Sequence, residues 1–454
     1  MGHSEDTTAT TERTLGVTGI VIFLVGLVVG ISVFILPGSL AATTGPAVIL
    51  SYGIAGIMAI FGCIVSAQVG VVFPVSGASF VAVSRILGPM WGFLGIWLLI
   101  GSGAVTVALL GFGFSDYMGF IWPGIDRQVG AVTLLVGLCL LNVFGLRGAL
   151  LGQTLMVAAF MLALGVFCVA GLVNLDTSLL VPFVPNGMSP VIAAAIPAFF
   201  SYTGFGLVIE IGGEIKTPSR TIPLALLLSF LIVFSVYALV GIAVVGIIPW
   251  QELGGISAPV GEASSRILPQ WLSSGISLTA VAAAASSVNF ILLGYSRDVL
   301  ALARVRTLPE VLAKISQRHH VPVNGVLFIA GLSLVAISVG GNIADVASLI
   351  VFAVLLLQIA MAVVMLQIPS KMPVRYEQAG FRMHPWVHKF FGVGLIIFSL
   401  FFMGVTAQGN IKVILIGSVY VLFGALYYSL RRAYLRRRNV HIDLLIQREV
   451  EAIR

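Results

Sequence analysis

Apolar residues run through this chain in long continuous stretches broken by short polar segments, from Leu15 almost to Leu430. A helix needs roughly 20 apolar residues to cross a hydrocarbon core about 30 Å thick, and the stretches have that length. The pattern predicts membrane spans over 15–41, 47–70, 91–117, 129–145, 149–173, 189–214, 223–248, 273–303, 323–341, 345–367, 388–406 and 411–430. The expected fold is therefore an all-α integral membrane bundle of twelve helices. A closed barrel would need strands of alternating polarity instead.

Composition sharpens this picture. With 59% hydrophobic and 9% charged residues and a mean hydropathy of +1.11, water would not hold the chain in solution. Its 51 glycines suit helices whose backbones approach closely. An even number of spans puts both termini on one side. If that side is the cytoplasm, 21 of the 24 Lys and Arg fall inside, leaving only Arg127, Arg266 and Lys412 outside. The net charge of +7 thus follows from topology and a basic tail, and needs no nucleic-acid partner. Arg431, Arg432 and Arg436 to Arg438 follow the last span directly, where a basic cluster sets orientation first and can also touch anionic headgroups of membrane lipid. Beyond them Ile442, Leu444, Leu445 and Ile446 suggest a short interfacial helix.

Two spans are interrupted. Gly26, Gly30, Ser32, Pro37 and Gly38 break the first, and Gly204, Gly206, Gly212 and Gly213 break the sixth. These places correspond if five helices are followed by five more of opposite orientation, the pattern of an inverted-repeat transporter whose site is built from helix ends at the breaks. The organisation expected is a cytoplasmic N-terminus (1–14), a first repeat (15–173), a second repeat (189–367), two further helices (388–430) and a basic cytoplasmic tail (431–454).

Unwinding a helix in lipid leaves N–H and C=O groups without partners, at several kcal/mol each unless protein, water or ligand satisfies them. A zwitterion suits both ends. Its carboxylate accepts from N–H groups at a half-helix N-terminus, and its ammonium donates to carbonyls at a half-helix C-terminus.

Around the first break the chain reads Val28-Val29-Gly30-Ile31-Ser32-Val33-Phe34-Ile35-Leu36-Pro37-Gly38. Around the second it reads Phe199-Phe200-Ser201-Tyr202-Thr203-Gly204-Phe205-Gly206, followed by Glu210, Glu214 and Lys216-Thr217-Pro218-Ser219-Arg220-Thr221-Ile222-Pro223. With Tyr295-Ser296-Arg297-Asp298 through Ala303-Arg304 to Leu308-Pro309, these segments resemble the amino acid, polyamine and organocation transporter superfamily over about residues 15 to 385. Phe381-Arg382-Met383-His384-Pro385 is also similar to the stretch before that family's eleventh helix. The resemblance implies the leucine-transporter fold, five plus five helices with broken helices 1 and 6 and two C-terminal helices.

It also implies roles. The amides of Ile31 and Ser32 beside Gly30 would hold carboxylate, and the carbonyls of Val28, Phe200 and Thr203 would hold ammonium, with Ser201 and Gly204 completing the second break. The family's usual Gly-Ser/Thr-Gly is here Gly30-Ile31-Ser32. Gly206 stands where many members carry an acid, and Ile291 where some carry Trp, which tilts the expected cargo toward neutral, fairly apolar amino acids. Phe200 matches a covering aromatic, and Ser102 a pocket-lining position. Some proton-coupled relatives carry a lysine in the fifth helix; the stretch Gln153 to Leu164 has none, with Phe160 near that place.

For coupling, Glu210 is the one carboxylate read as lying well inside the first ten spans, and it either carries a proton, caps unwound backbone or faces cytoplasmic water. Asp116 and Asp345 are expected at solvated outer ends. Ser286 and Ser287 sit where sodium-coupled members of the wider fold place paired hydroxyls, though adjacent hydroxyls also bond to their own helix. Exchange of one amino acid for another needs no ion.

Catalysis is not expected. There is no His-Glu-x-x-His and no Walker loop, every histidine, including His319 and His320, reads as loop or tail, and Cys63, Cys139 and Cys168 show no metal or disulfide spacing. No cofactor or metal is implied. The expected function is secondary active transport of an amino acid by alternating access, as proton symporter or exchanger; alternatives are a polyamine or cationic-amine transporter of the same fold, or a non-transporting sensor. The loop after the third span lacks the cysteine by which animal heteromeric relatives bind an accessory subunit, and no Asn-x-Ser/Thr signal occurs. A bacterial or archaeal inner membrane, and a monomer or homodimer working unaided, are therefore expected.

Overall fold

The computed structural model describes residues 13, 15–75, 77–143, 149–316 and 321–452. His319, His320 and the expected N-terminal segment other than Arg13 lie outside these. Helices begin with α1 (Val17–Val29) and α2 (Ser32–Thr44), then α3 (Val48–Val72), α4 (Ala78–Leu87), α5 (Pro89–Ile121), α6 (Arg127–Val143) and α7 (Ala149–Val173). They continue with α8 (Met188–Phe200), α9 (Pro218–Ile247), α10 (Pro259–Ile267), α11 (Gln270–Arg304), α12 (Val323–Val339) and α13 (Ile343–Lys371). The last are α14 (Pro373–Gln378), α15 (Pro385–Gly409), α16 (Ile411–Arg436) and α17 (Ile442–Ala452). Each apolar stretch read from the sequence falls on a helix or helix pair.

Among the described residues, nine helical segments are long and apolar enough to cross a membrane, and Val17–Val29, Arg127–Val143 and Val323–Val339 are shorter apolar helices. This is a multi-pass integral membrane protein. Proline sets several starts: Pro89, Pro218, Pro259 and Pro385 stand in the first turn of their helices, where the missing N–H costs nothing. Asn342 caps α13 by accepting from the Ala344 N–H at 2.9 Å.

Packing sorts the helices into an inner group and an outer rim. Val28, Phe34, Phe199 and Tyr237, on α1, α2, α8 and α9, are buried. On α16, Leu415, Val419, Leu422 and Leu426 form an exposed stripe at helical spacing, an apolar face that only lipid or another membrane helix covers. Aromatic stacking of Phe93 and Trp97 on Tyr420 and Tyr427 ties that rim helix to α5.

Three expectations need correction. The C-terminal segment is helical, but Ile442 and Ile446 are buried in protein, packing α17 on α4 and α5 instead of on lipid. Asp443 fixes it by accepting from Tyr428 at 2.8 Å and pairing with Arg432. Asp116 is not solvated: its side chain is 7% exposed and pairs with Arg127 at 3.0 Å, because α6 brings that cation over the C-terminal end of α5. His388 lies inside α15, buried, with Nε2 against the Met365 carbonyl at 2.9 Å. Two short helices, α4 and α10, lie between the stretches expected to span; each is too short for a span, and α4 packs on α5 and α13 while α10 packs on α11 and α2.

Candidate functional site

The first break is sharp. Helix α1 ends at Val29, Gly30 takes φ +39° and ψ −150°, and α2 starts at Ser32 with no side chain capping its N-terminus. That backbone conformation is essentially confined to glycine. The carbonyls released at the end of α1 are partly satisfied by protein: Ser32 Oγ donates to Val29 O at 3.1 Å, and Tyr237 Oη lies 3.3 Å from Val29 O and 3.5 Å from Val28 O. Ser32 and Tyr237 hydroxyls meet at 2.5 Å. The start of α2 therefore presents N–H groups with helix-dipole support, and Ile31 and Ser32 line the cavity beside it.

The second break is gradual. Helix α8, which carries Pro197 in its last turn, gives way after Phe200 to a 3-10 run over Thr203–Glu210. Backbone bonds three residues apart carry the chain across, from Ser201 N to Ala198 O at 3.0 Å and from Tyr202 N to Phe199 O at 2.9 Å. Thr203 Oγ1 donates to Phe200 O at 2.8 Å. One of the carbonyls expected to face an ammonium thus already has a partner, with its second lone pair remaining.

The two breaks touch. A Cβ on Gly204 would stand 2.8 Å from Val28 Cγ2, so only glycine lets the sixth span cross the first here. A cavity of about 150 Å³ opens beside this crossing. Val28, Gly30, Ile31, Ser32, Ser102, Phe200, Thr203, Gly204, Gly206 and Ile291 all line it. Ser201 does not; it is buried behind the break, toward Tyr52 and Tyr237. A Cβ on Gly206 would meet nothing within 4 Å, the room that the missing acid leaves.

Of the coupling candidates, Glu210 and Ser287 line the cavity and Ser286 does not. Ser287 Oγ would lie 3.0 Å from a Cβ on Gly30, directly behind the first break. The Ser79 side chain and N–H, on α4, bond to the Glu210 carboxyl, and Gly77 N donates to the Glu210 carbonyl at 3.1 Å. Phe160, at the place of the lysine in some relatives, is buried in α7.

Sequence reasoning missed Tyr237, which closes the first break, and Tyr295 and Gln358, which line the cavity. It also missed Asp298, one turn past Tyr295 and close enough to Glu210 for their charges to interact. Glu210 is therefore not alone as an acid within the spans. The available signal was a hydroxyl or amide in mid-span, which needs a partner wherever it is buried.

Contacts close both sides of this region. At one end, Tyr117 Oη donates to Phe34 O at 2.7 Å and accepts from Val260 N at 3.2 Å, joining α5, α2 and α10. At the other, Leu15 N donates to Glu214 O at 3.0 Å and Lys216 N to Leu15 O at 2.8 Å, strapping the start of α1 to the segment that follows the second break.

A helical membrane protein with two half-helix junctions meeting at a mostly apolar cavity has the build of a transporter. A family model described as amino acid permease matches residues 15–426. This chain belongs to the amino acid permease family, and its work is amino acid transport. It is 31% identical to an uncharacterized transporter of Mycobacterium tuberculosis over 71% of this chain and 72% of that protein. It is 29% identical to a branched-chain amino acid permease of Lactococcus lactis subsp. cremoris over 70% of this chain and 73% of that protein. Similarity extends to a vacuolar cationic amino acid transporter of Arabidopsis thaliana, 28% identical over 75% of this chain and 60% of that protein.

Proposed function

We propose that this chain is a secondary active transporter carrying neutral, fairly apolar amino acids across the cytoplasmic membrane by alternating access. The observation that carries the proposal is the cavity at the crossing of the two breaks, where Gly204 packs on Val28 and the uncapped start of α2 faces open space. The substrate carboxylate sits on the N–H groups of Ile31 and Ser32. Its ammonium reaches carbonyls of Val28, Phe200 and Thr203, using lone pairs that Tyr237 and the Thr203 hydroxyl leave open. Phe200 covers it, and Gly206, Ser102 and Ile291 border the side chain.

In this reading twelve spans form two inverted repeats, 15–173 and 189–367, with 388–430 outside them and both termini cytoplasmic. Alternating access then needs the Tyr117 contacts and the Leu15 strap to open one at a time. Glu210, held by α4 at the inner end of the cavity, is the residue proposed for proton symport; amino acid exchange would leave it structural. A branched-chain permease among the relatives supports the neutral class. A cationic substrate is the second reading, favoured by a relative named for cationic amino acids and by the Glu210 carboxyl in the cavity wall.

The test is a thermal-shift screen of amino acids and polyamines on detergent-purified protein, followed by uptake into proteoliposomes. Binding of native-state ligands raises apparent stability. Neutral amino acids should both stabilise and be taken up; stabilisation without uptake would mark a sensor, and stabilisation by lysine or polyamines alone would select the second reading. Glu210→Gln should flatten the pH dependence of uptake, and an unchanged profile removes it from coupling.

A further inference from the structure

The C-terminal helix α17 lies against the short helix that holds Glu210, a contact with no part in the transport reading above. Ile442, Leu445 and Ile446 are three and four residues apart and form one apolar face of α17. Ile442 and Ile446 are buried where α17 packs on α4 and α5, whereas Leu444, on the other side of the helix, is 51% exposed. Asp443 pins the start of α17 by accepting from Tyr428 Oη at 2.8 Å and pairing with Arg432. The Tyr428 ring in turn packs on Phe93 of α5, with 5.1 Å between centroids.

Helix α4 is flanked at both ends by a glycine with positive φ, Gly77 at +68° and Gly88 at +108°. A Cβ at either would meet nothing within 4 Å, so these glycines serve backbone conformation and leave the helix room to turn. The first turn of α4 holds the end of the second break. The Ser79 side chain and N–H bond to the Glu210 carboxyl, and Gly77 N donates to the Glu210 carbonyl at 3.1 Å; a carboxylate at a helix N-terminus is also favoured by the dipole there. The last turn is held by α13, where Lys371 Nζ donates to Ile86 O at 2.6 Å. Ser79 and Glu210 both line the cavity, so displacing α4 removes part of the cavity wall.

We propose that α17 is a clamp on α4: with Ile442 and Ile446 docked, α4 stays over the end of the cavity at Glu210, and with them undocked that end opens more readily. Ile442, Asp443 and Ile446 are then positioning residues, acting on the cavity through α4 without touching cargo. A helix as short as α4 is held in place by its tertiary contacts and not by its own helical propensity. Removing one contact shifts the balance between seated and displaced α4 by the differential free energy of that contact. The clamp rests on the reading in which the two ends of the cavity open one at a time, and it adds to that reading a control exerted by the C-terminal helix.

Cys63 of α3 reports the opening, because it is a free thiol that lines the same cavity, whereas Cys139 and Cys168 do not line it. The experiment uses the full chain, with Cys139 and Cys168 replaced by Ser, in membrane vesicles of both orientations. Protease access to a C-terminal tag identifies the face that bears α17. A charged, membrane-impermeant methanethiosulfonate is added to the outside of the vesicles and the rate of Cys63 labelling is measured, with Cys63→Ser as the blank. Ile446→Asp should raise the rate about tenfold from the face that bears α17 and leave the other face unchanged. Ile446→Leu should restore the wild-type rate, and Leu444→Asp, which puts the same charge on the exposed side of α17, should keep it. Asp443→Asn removes only the ion pair and should raise the rate in the same direction by less than about fivefold; if Ile446→Asp does not reach the membrane, this variant decides alone. A wild-type rate in the undocking variants, an equal rise from both faces, or the same rise in Leu444→Asp would overturn the clamp. Uptake of radiolabelled leucine by the same vesicles separates the two readings: normal uptake with unchanged labelling removes the clamp alone, and absent wild-type uptake with the expected labelling removes leucine as cargo and leaves the clamp standing.

Discussion

The two half-helix junctions interrupt their helices by opposite means. At the first, one glycine with positive φ interrupts the helix abruptly, and side chains from α9 and from α2 itself take up the released carbonyls. At the second, no residue of the 3-10 run from Thr203 to Glu210 has positive φ, and the backbone pairs with itself three residues back. The first junction is a fixed notch whose N–H groups stay available. The second is a tightened coil with poorer hydrogen-bond geometry, the kind of mid-helix segment that serves as a hinge. On the proposed reading, carboxylate binding belongs to the first, rigid junction and movement to the second, soft one.

Gly30→Val strikes the rigid junction hardest and should have the largest effect. A side chain there meets both a disallowed backbone conformation, costing about 1–3 kcal/mol, and Ser287 Oγ at 3.0 Å. Uptake should be lost while membrane expression, followed on a tagged chain, persists. Normal uptake would mean that the notch is not the binding site.

Gly204→Val comes next. Its backbone tolerates a side chain, but the new Cβ would stand 2.8 Å from Val28 Cγ2, and overpacking of this kind costs about 1–3 kcal/mol. Transport should fall by about ten- to hundredfold, with Gly204→Ala less affected. If the second junction is the hinge, the loss appears in maximal rate more than in substrate affinity; for Gly30→Ala the affinity should fall first. Matching kinetic signatures in the two variants would erase the distinction.

Tyr237→Phe removes the hydroxyl that serves Ser32, Val28 and Val29 while keeping the ring stacked on Tyr52 at 5.0 Å between centroids. Leaving buried carbonyls short of a donor costs about 1–3 kcal/mol, which should lower the melting temperature of the purified protein by several degrees. A melting temperature unchanged within error would show that water or neighbouring backbone closes the first junction without Tyr237.

Most of this bundle was legible because lipid imposes a simple rule: long apolar runs cross it, and glycine in them marks either packing or a break. Gly30 and Gly204 stand at the junctions their spacing suggested. Gly206 lines the cavity with open space where a side chain would stand. What escaped was long-range pairing. Tyr237 is more than two hundred residues from Ser32, and nothing in the apolar pattern of α9 says which face meets the notch. Gln358 was invisible for the same reason, since an amide in a span announces a partner without naming one. Asp116 was misplaced because its exposure depends on where Arg127 of α6 falls, a tertiary fact. Helices α4 and α10 were missed because periodicity tuned to spans of about 20 residues passes over short amphipathic segments.

The smallest effect expected is that of Thr203→Val, and it tests the soft junction most finely. Valine keeps the shape and the β-branch, removing only the hydroxyl that donates to Phe200 O at 2.8 Å. The loss of one such bond costs about 0.5–1.5 kcal/mol, visible as a small fall in melting temperature. Substrate affinity should change by less than about threefold, because the carbonyl keeps a lone pair for the ammonium whether or not the hydroxyl occupies the other. A fall in affinity beyond tenfold would place the Thr203 hydroxyl itself on the substrate. The second junction would then bind through a side chain, as the first binds through its backbone, and the division of labour between them would be drawn differently.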